Sequence, residues 1–198
     1  MSMWKKIKQL IIPQSDETEK DDSDLEFVTF QTREPIDVLF TRHFVTGGGH
    51  FFYCENEREA LENLKEIIDH EQIDEIICFD EKLKSLLNRL NVKQKNVFSS
   101  QSDFALIECE YLVAFDGSIM LSSHQTNGRK QEDLPSNVIV YACPGQLVSN
   151  ISEALQRLKS TKNDNIPTNI TSIRGKNLHN VDSSSNAKNI YLLLVEQV

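Results

Sequence analysis

The sequence is short of positive charge, of paired cysteines and of long apolar runs. Against 30 Asp and Glu stand 21 Lys and Arg, a net charge of −9. Neutralising nucleic-acid phosphates takes clustered Lys and Arg, so the balance excludes a nucleic-acid partner. The longest apolar runs, such as Tyr191–Val195 and Val138–Ala142, fall far short of the roughly 20 residues that cross a bilayer. No membrane span is expected. At the N-terminus no basic region, apolar core and small-residue cleavage site occur together, so a cytoplasmic protein is the expectation. The four cysteines, Cys54, Cys78, Cys109 and Cys143, form no Cys-x-x-Cys, and the five histidines form no His-Glu-x-x-His. Zinc and iron–sulfur centres need clustered ligands, so no metal and no cofactor are expected. Each cysteine ends or interrupts an apolar run and reads as a small buried residue of a strand. Gly-x-Ser-x-Gly and a Walker-type phosphate loop are absent as well.

What is present is organised in three parts. Trp4, Ile7 and Ile11 lie at helical spacing with Lys5, Lys6 and Lys8 turned away, and Pro13 closes this amphipathic helix over residues 1–13. Residues 14–24, QSDETEKDDSD, are acidic and hold no aliphatic or aromatic side chain, as a solvated linker does. The domain proper then runs from Leu25 to Val198. Helices are expected at Glu34–Phe44, with Pro35 at its first position, and at Glu55–Asp69, Glu81–Leu90 and Val148–Leu158. Strands are expected at Phe51–Cys54, Glu75–Phe79, Val97–Phe98, Val138–Ala142, Ile166–Ile173 and Ile190–Val195, and a loop at Asp182–Lys188. Strands alternating with helices argue for an α/β layer with buried parallel strands.

The middle of the chain breaks that alternation. Two strand-like runs, Glu110–Phe115 and Ser118–Leu121, are joined by Asp116–Gly117, the turn chemistry of a hairpin. A polar loop carrying Arg129 follows, then Leu134 and Pro135, then the Val138 run. This order resembles the LUD (lactate-utilisation) domain, whose members share a run close to Ala-Glu-Thr-Gly-Thr, then an Arg and a Leu-Pro ahead of a hydrophobic strand. Here the run reads Ala114-Phe115-Asp116-Gly117-Ser118, so the family's Glu-Thr pair is replaced. A second family stretch before the last strand is not preserved at Ser172–Leu178.

The resemblance implies a three-layer α/β fold with a mixed sheet, like the sugar-phosphate isomerase and CoA-transferase-like superfamily. It also implies a bacterial accessory protein of lactate-type organic-acid oxidation that binds a small anionic ligand or a partner subunit, with iron–sulfur or oxidoreductase subunits as the partners. The alternatives are a free-standing enzyme on a phosphorylated or carboxylated small molecule, and a scaffold module without ligand.

Several residues are candidates for a site. Gly47, Gly48 and Gly49 read either as a helix C-cap plus turn or as N–H groups that wrap an anion. Asp116, Gly117 and Ser118 read either as turn chemistry alone or as a ligand-facing edge. Arg129 suits bidentate binding of a carboxylate or phosphate, or is an exposed loop cation. Glu108 and Glu110 flank Cys109, and an extended chain would place both carboxylates on one face. Glu110 is the candidate acid or base, although a turn mouth in water fits both residues too. His124, beside Ser122 and Ser123, would be the base of a nucleophile only if space confirms the pairing.

Overall fold

A computed structural model describes residues 34–97, 103–161, 167, 169–176 and 187–196. The expected N-terminal helix and acidic linker, Phe98, Ile166 and most of the loop before Lys188 lie outside them. The first helix, α1 (Ile36–Thr46), starts behind Pro35, which stands at the N-cap rather than at the first helical position. Strand β1 (His50–Cys54), helix α2 (Glu57–His70), strand β2 (Glu75–Ile77) and helix α3 (Glu81–Arg89) follow. Side chains fix where both later helices begin. Asn56 accepts from the Glu59 N–H at 3.1 Å, and Asp80 accepts from the Leu83 N–H at 2.9 Å.

The next strand, β3, is Lys93–Lys95, not the expected pair at Val97 and Phe98. Val97 lies beyond it and is exposed. A strand not anticipated, β4 (Phe104–Glu108), comes before the expected hairpin of β5 (Tyr111–Val113) and β6 (Ser118–Ser122). After β7 (Asn137–Ala142) the chain makes a two-residue strand, β8 (Leu147–Val148), where the helix was expected to begin. Helix α4 (Ile151–Thr161) starts only after Asn150, whose side chain accepts from the Glu153 N–H at 3.0 Å. Strands β9 (Ile170–Gly175) and β10 (Ala187–Val195) complete the described chain.

The ten strands make one mixed sheet. Six are parallel in the order β3-β2-β4-β7-β10-β1. Only the first two residues of β10 also pair with β9, and there the sheet folds over. Strands β9, β6 and β5 then run antiparallel to one another, with β8 parallel to β5 at the far edge.

Strand alternation sorts the parallel sheet into two faces. Ile76, Leu106, Ile139 and Leu193 face α2 and α3, joined by Leu64, Leu83 and Leu87. Ile77, Ile107, Val140, Leu192 and Leu194 face α1 and the folded-over strands, against Phe40, Phe44, Ile119 and Leu121. Helix α4 covers the outside of the small antiparallel portion through Ala154, on Val113, Met120 and Val148. This is the α/β, mixed-sheet architecture the sequence implied. Of the cysteines, Cys54, Cys78 and Cys109 are buried as expected, whereas Cys143 is partly exposed. Among the described residues no helix is long and apolar enough to cross a membrane.

Candidate functional site

The C-terminal ends of parallel strands are where open α/β sheets build sites, because connecting loops diverge there and leave a crevice. Here β2 delivers Phe79 and Asp80, β4 delivers Glu108, and the loop after β6 closes over them with His124, Gln125 and Asn127. Together with Leu106 and Ile107 they line a cleft of about 320 Å³. Asp80 is held by its capping bond to α3. Burial pushes the Glu108 carboxyl above the usual carboxylate range. The charges of Asp80 and Glu110 push the same way, and Lys82 opposes them. A carboxyl so placed stays protonated to higher pH and, while protonated, can donate a hydrogen bond.

Glu110 lies behind this wall, buried rather than at a wet turn mouth. Its Oε1 accepts from the Ser122 hydroxyl at 2.6 Å and from Gln125 Nε2 at 3.0 Å. His124 Nδ1 stands 3.9 Å from the same oxygen. Gln125 Oε1 in turn accepts from the Ser122 N–H at 2.8 Å, and the His124 N–H donates to Ser122 Oγ at 3.1 Å. Ser122 is fully buried, and its hydroxyl has two acceptors on this network, Glu110 Oε1 at 2.6 Å and Gln125 Oε1 at 2.9 Å. It is a strut, not a nucleophile. Further backbone bonds, Thr126 to Ser122, Gly128 to Ser123 and Arg129 to Thr126, tighten the loop. Asn127 and Gly128 take left-handed backbone, with φ of 50° and 73°. Loop 122–129 is thus shaped before any ligand arrives.

A second clamp joins the neighbouring turns. Gln146 accepts from the Cys143 N–H at 2.7 Å and donates to the Cys109 carbonyl. Burial pushes the Cys109 thiol well up, so it is inert as a nucleophile.

The other candidate residues gather elsewhere. The N–H groups of Gly47, Gly48 and Gly49 bond the His43, Val45 and Phe44 carbonyls at 2.9, 3.0 and 2.9 Å, the capping alternative. A Cβ at Gly49 would lie 2.3 Å from the Phe44 ring. Asp116 accepts from the Ser118 N–H at 3.1 Å and hydroxyl at 2.7 Å, and forms an ion pair with Arg174. Ser118 is fully buried. Gly117, at φ +68°, packs so closely on α1 that a Cβ would stand 2.5 Å from the Phe44 nitrogen. The glycine turn and the hairpin turn therefore do meet, around Phe44, but through close packing. Arg129 is exposed beyond the opposite end of β6, a strand of five residues or roughly 17 Å. It shares its loop with Asn127, two residues after that cleft residue, and is not itself part of the cleft lining.

Asp80, Gln125 and Asn127 were not singled out by sequence. Asp80 carries a readable signal, a capping Asp placed just after a buried strand. The two amides carry none.

A model of the LUD domain family matches residues 39–198. Among solved structures, a DUF162 family protein from Deinococcus radiodurans superposes with a TM-score of 0.61 at 16% identity, over 82% of this chain and 96% of that one. At that identity the likeness is one of fold. No curated protein matches the sequence.

Proposed function

Because the chain belongs to the LUD domain family, we propose that it is a cytoplasmic accessory protein of lactate-type organic-acid oxidation that binds a small hydroxy acid in the Glu108 cleft. Family membership supports the lactate-utilisation setting, and iron–sulfur or oxidoreductase subunits are the partners that setting implies. The observation carrying the ligand is the cleft itself: polar, at the C-terminal edge of the sheet, and of a volume at the small end of ligand sites.

Its chemistry is two-sided. Asp80 and Glu108 are acceptors for hydroxyl groups, and Glu108 can keep a proton to share. The Asp80 carboxylate repels another carboxylate, so the anionic end points to the loop, where Gln125 and Asn127 offer amide donors and Arg129, two residues on, a guanidinium. A hydroxy acid satisfies both sides.

Calorimetric titration with lactate, and with pyruvate as the analogue lacking the hydroxyl, tests this reading. Lactate binds and pyruvate binds more weakly. Arg129→Ala weakens lactate by roughly ten- to a hundred-fold, the loss of one charge-assisted contact of about 1.5–3 kcal/mol. Its folding stability changes by under about 0.5 kcal/mol, as for an exposed loop residue. Absence of lactate binding, or equal binding of both acids, ends the hydroxy-acid reading.

A second reading rests on Glu108 and His124, two titratable side chains in one cleft. They suit a free-standing enzyme moving a proton on a carboxylated or phosphorylated molecule. Turnover by the isolated chain, lost in Glu108→Gln, would favour it.

A further inference from the structure

Three large apolar side chains are exposed around one turn. Phe115 is 73% exposed, Ile151 42% and Val45 37%. They come from three elements, and the hydrogen bonds show how these meet. Ala114 and Phe115 donate their N–H groups to the Val148 and Ser149 carbonyls at 2.9 and 3.0 Å, which brings the start of α4 alongside. Gly117, two residues after Phe115, lies against the last turn of α1 next to Val45. His43 Nδ1 lies 2.8 Å from the Ala114 carbonyl on the same side. Among the described residues, the other exposed large apolar side chains are remote. Val97 follows the opposite edge strand, and Ile170 pairs with Ser122 at the other end of β6. Single exposed apolar residues are ordinary; three around one turn mark a contact surface.

We propose that this patch of Val45, Phe115 and Ile151 docks the N-terminal segment of the same chain through Trp4, Ile7 and Ile11. That segment carries an apolar stripe too short to hold a helix without a surface to lie on. It is also within reach. Glu34 lies at the start of α1, and Val45 is about 16 Å away along that helix. Residues 13–33 extend up to roughly 70 Å. Covalent attachment to the domain raises the segment's effective concentration at the patch, so a small patch suffices. A second copy of the chain is the poorer occupant. Three side chains cannot supply the roughly 800 Å² per partner of a stable dimer. The acidic linker also leaves each copy strongly negative.

Trp4 is the only tryptophan, so fluorescence of the full-length protein reads the docking directly. The native emission maximum is blue-shifted from that of the urea-unfolded chain and independent of protein concentration. Phe115→Asp moves it to the unfolded position while the circular dichroism stays native. Val97→Asp, at the remote exposed site, leaves it in place. An unshifted native maximum overturns the proposal, as does a Phe115→Asp protein with native emission. A blue shift that disappears on dilution also overturns it, since it assigns the patch to a second copy.

Discussion

Replacing Glu110 by Ala is the most direct probe of how the cleft is held together. The substitution removes a buried carboxylate that accepts from the Ser122 hydroxyl and Gln125 Nε2. Hydrogen bonds to a charged group contribute about 1.5–3 kcal/mol each, offset by the cost of keeping that charge out of water. Afterwards the buried Ser122 hydroxyl loses its charged acceptor, while Gln125 is near enough to the surface to turn to water. The balance is a loss of about 3 kcal/mol. For a chain of this size that lowers the melting temperature by roughly 6–12 °C. Glu110→Gln keeps one acceptor oxygen and costs about 1 kcal/mol. Urea denaturation of the two variants, with Ser122→Ala and the Glu110→Ala/Ser122→Ala double variant, closes a cycle. The two residues should couple by about 1–3 kcal/mol. Should Glu110→Ala cost less than about 1 kcal/mol, or the pair prove additive, the carboxylate does not organise loop 122–129.

Three further expectations follow. Gly117→Ala places a side chain at φ +68° with its Cβ against α1 backbone. It should destabilise by more than about 2 kcal/mol in urea, and a near-neutral effect would contradict the packing. Glu108 has a folded-state pKa above the ordinary 4.5, so its penalty is absent below that pH and grows as pH rises through the folded value. Glu108→Gln should therefore stabilise at neutrality and lose that advantage in acid, and an advantage that grows in acid would reverse the assignment. Among the described residues no group of three His, Cys, Asp or Glu is placed to hold a metal. Elemental analysis after anaerobic purification should find no stoichiometric zinc or iron, and one equivalent lost on mutating Cys109 or Cys143 would refute this.

Legibility from sequence followed the physics of each segment. Helices α2 and α3 were readable because only one face is apolar, and the hairpin because Asp116–Gly117 leaves the turn few conformations. Strand β4 escaped notice because it is buried on both faces, which erases alternation, and because it runs almost directly into β5. Strand β3 escaped because Lys93-Gln94-Lys95 is a polar edge held by β2, with no pattern of its own. The stretch Val148–Leu158 reads as helical throughout, since Val148, Ile151, Leu155 and Leu158 share helical spacing. Asn150 with Glu153 was the overlooked cap. Of the cleft, Glu108 and His124 could be named in advance as ionisable residues, as could Glu110 behind its wall. The partners of Glu110 could not, because Ser122 and Gln125 reach it only once the hairpin has closed.

Strand β10 pairs with β7 on one side, with β1 on the other and, at its start, with β9. Its partner β1 lies almost the whole domain upstream, so their pairing closes the longest loop in the fold. Contacts so distant in sequence form late, because the loop-closure entropy is lost before the contact repays it. By the same principle the β5–β6 hairpin and the β2–β3 pair, whose partners are close in sequence, should form early, and the pairing of β1 with β10 last. Until then the apolar side chains of β10 and β1 remain open to neighbouring molecules. This chain should consequently refold on the slow side for its size, and aggregate most readily when refolded at high concentration.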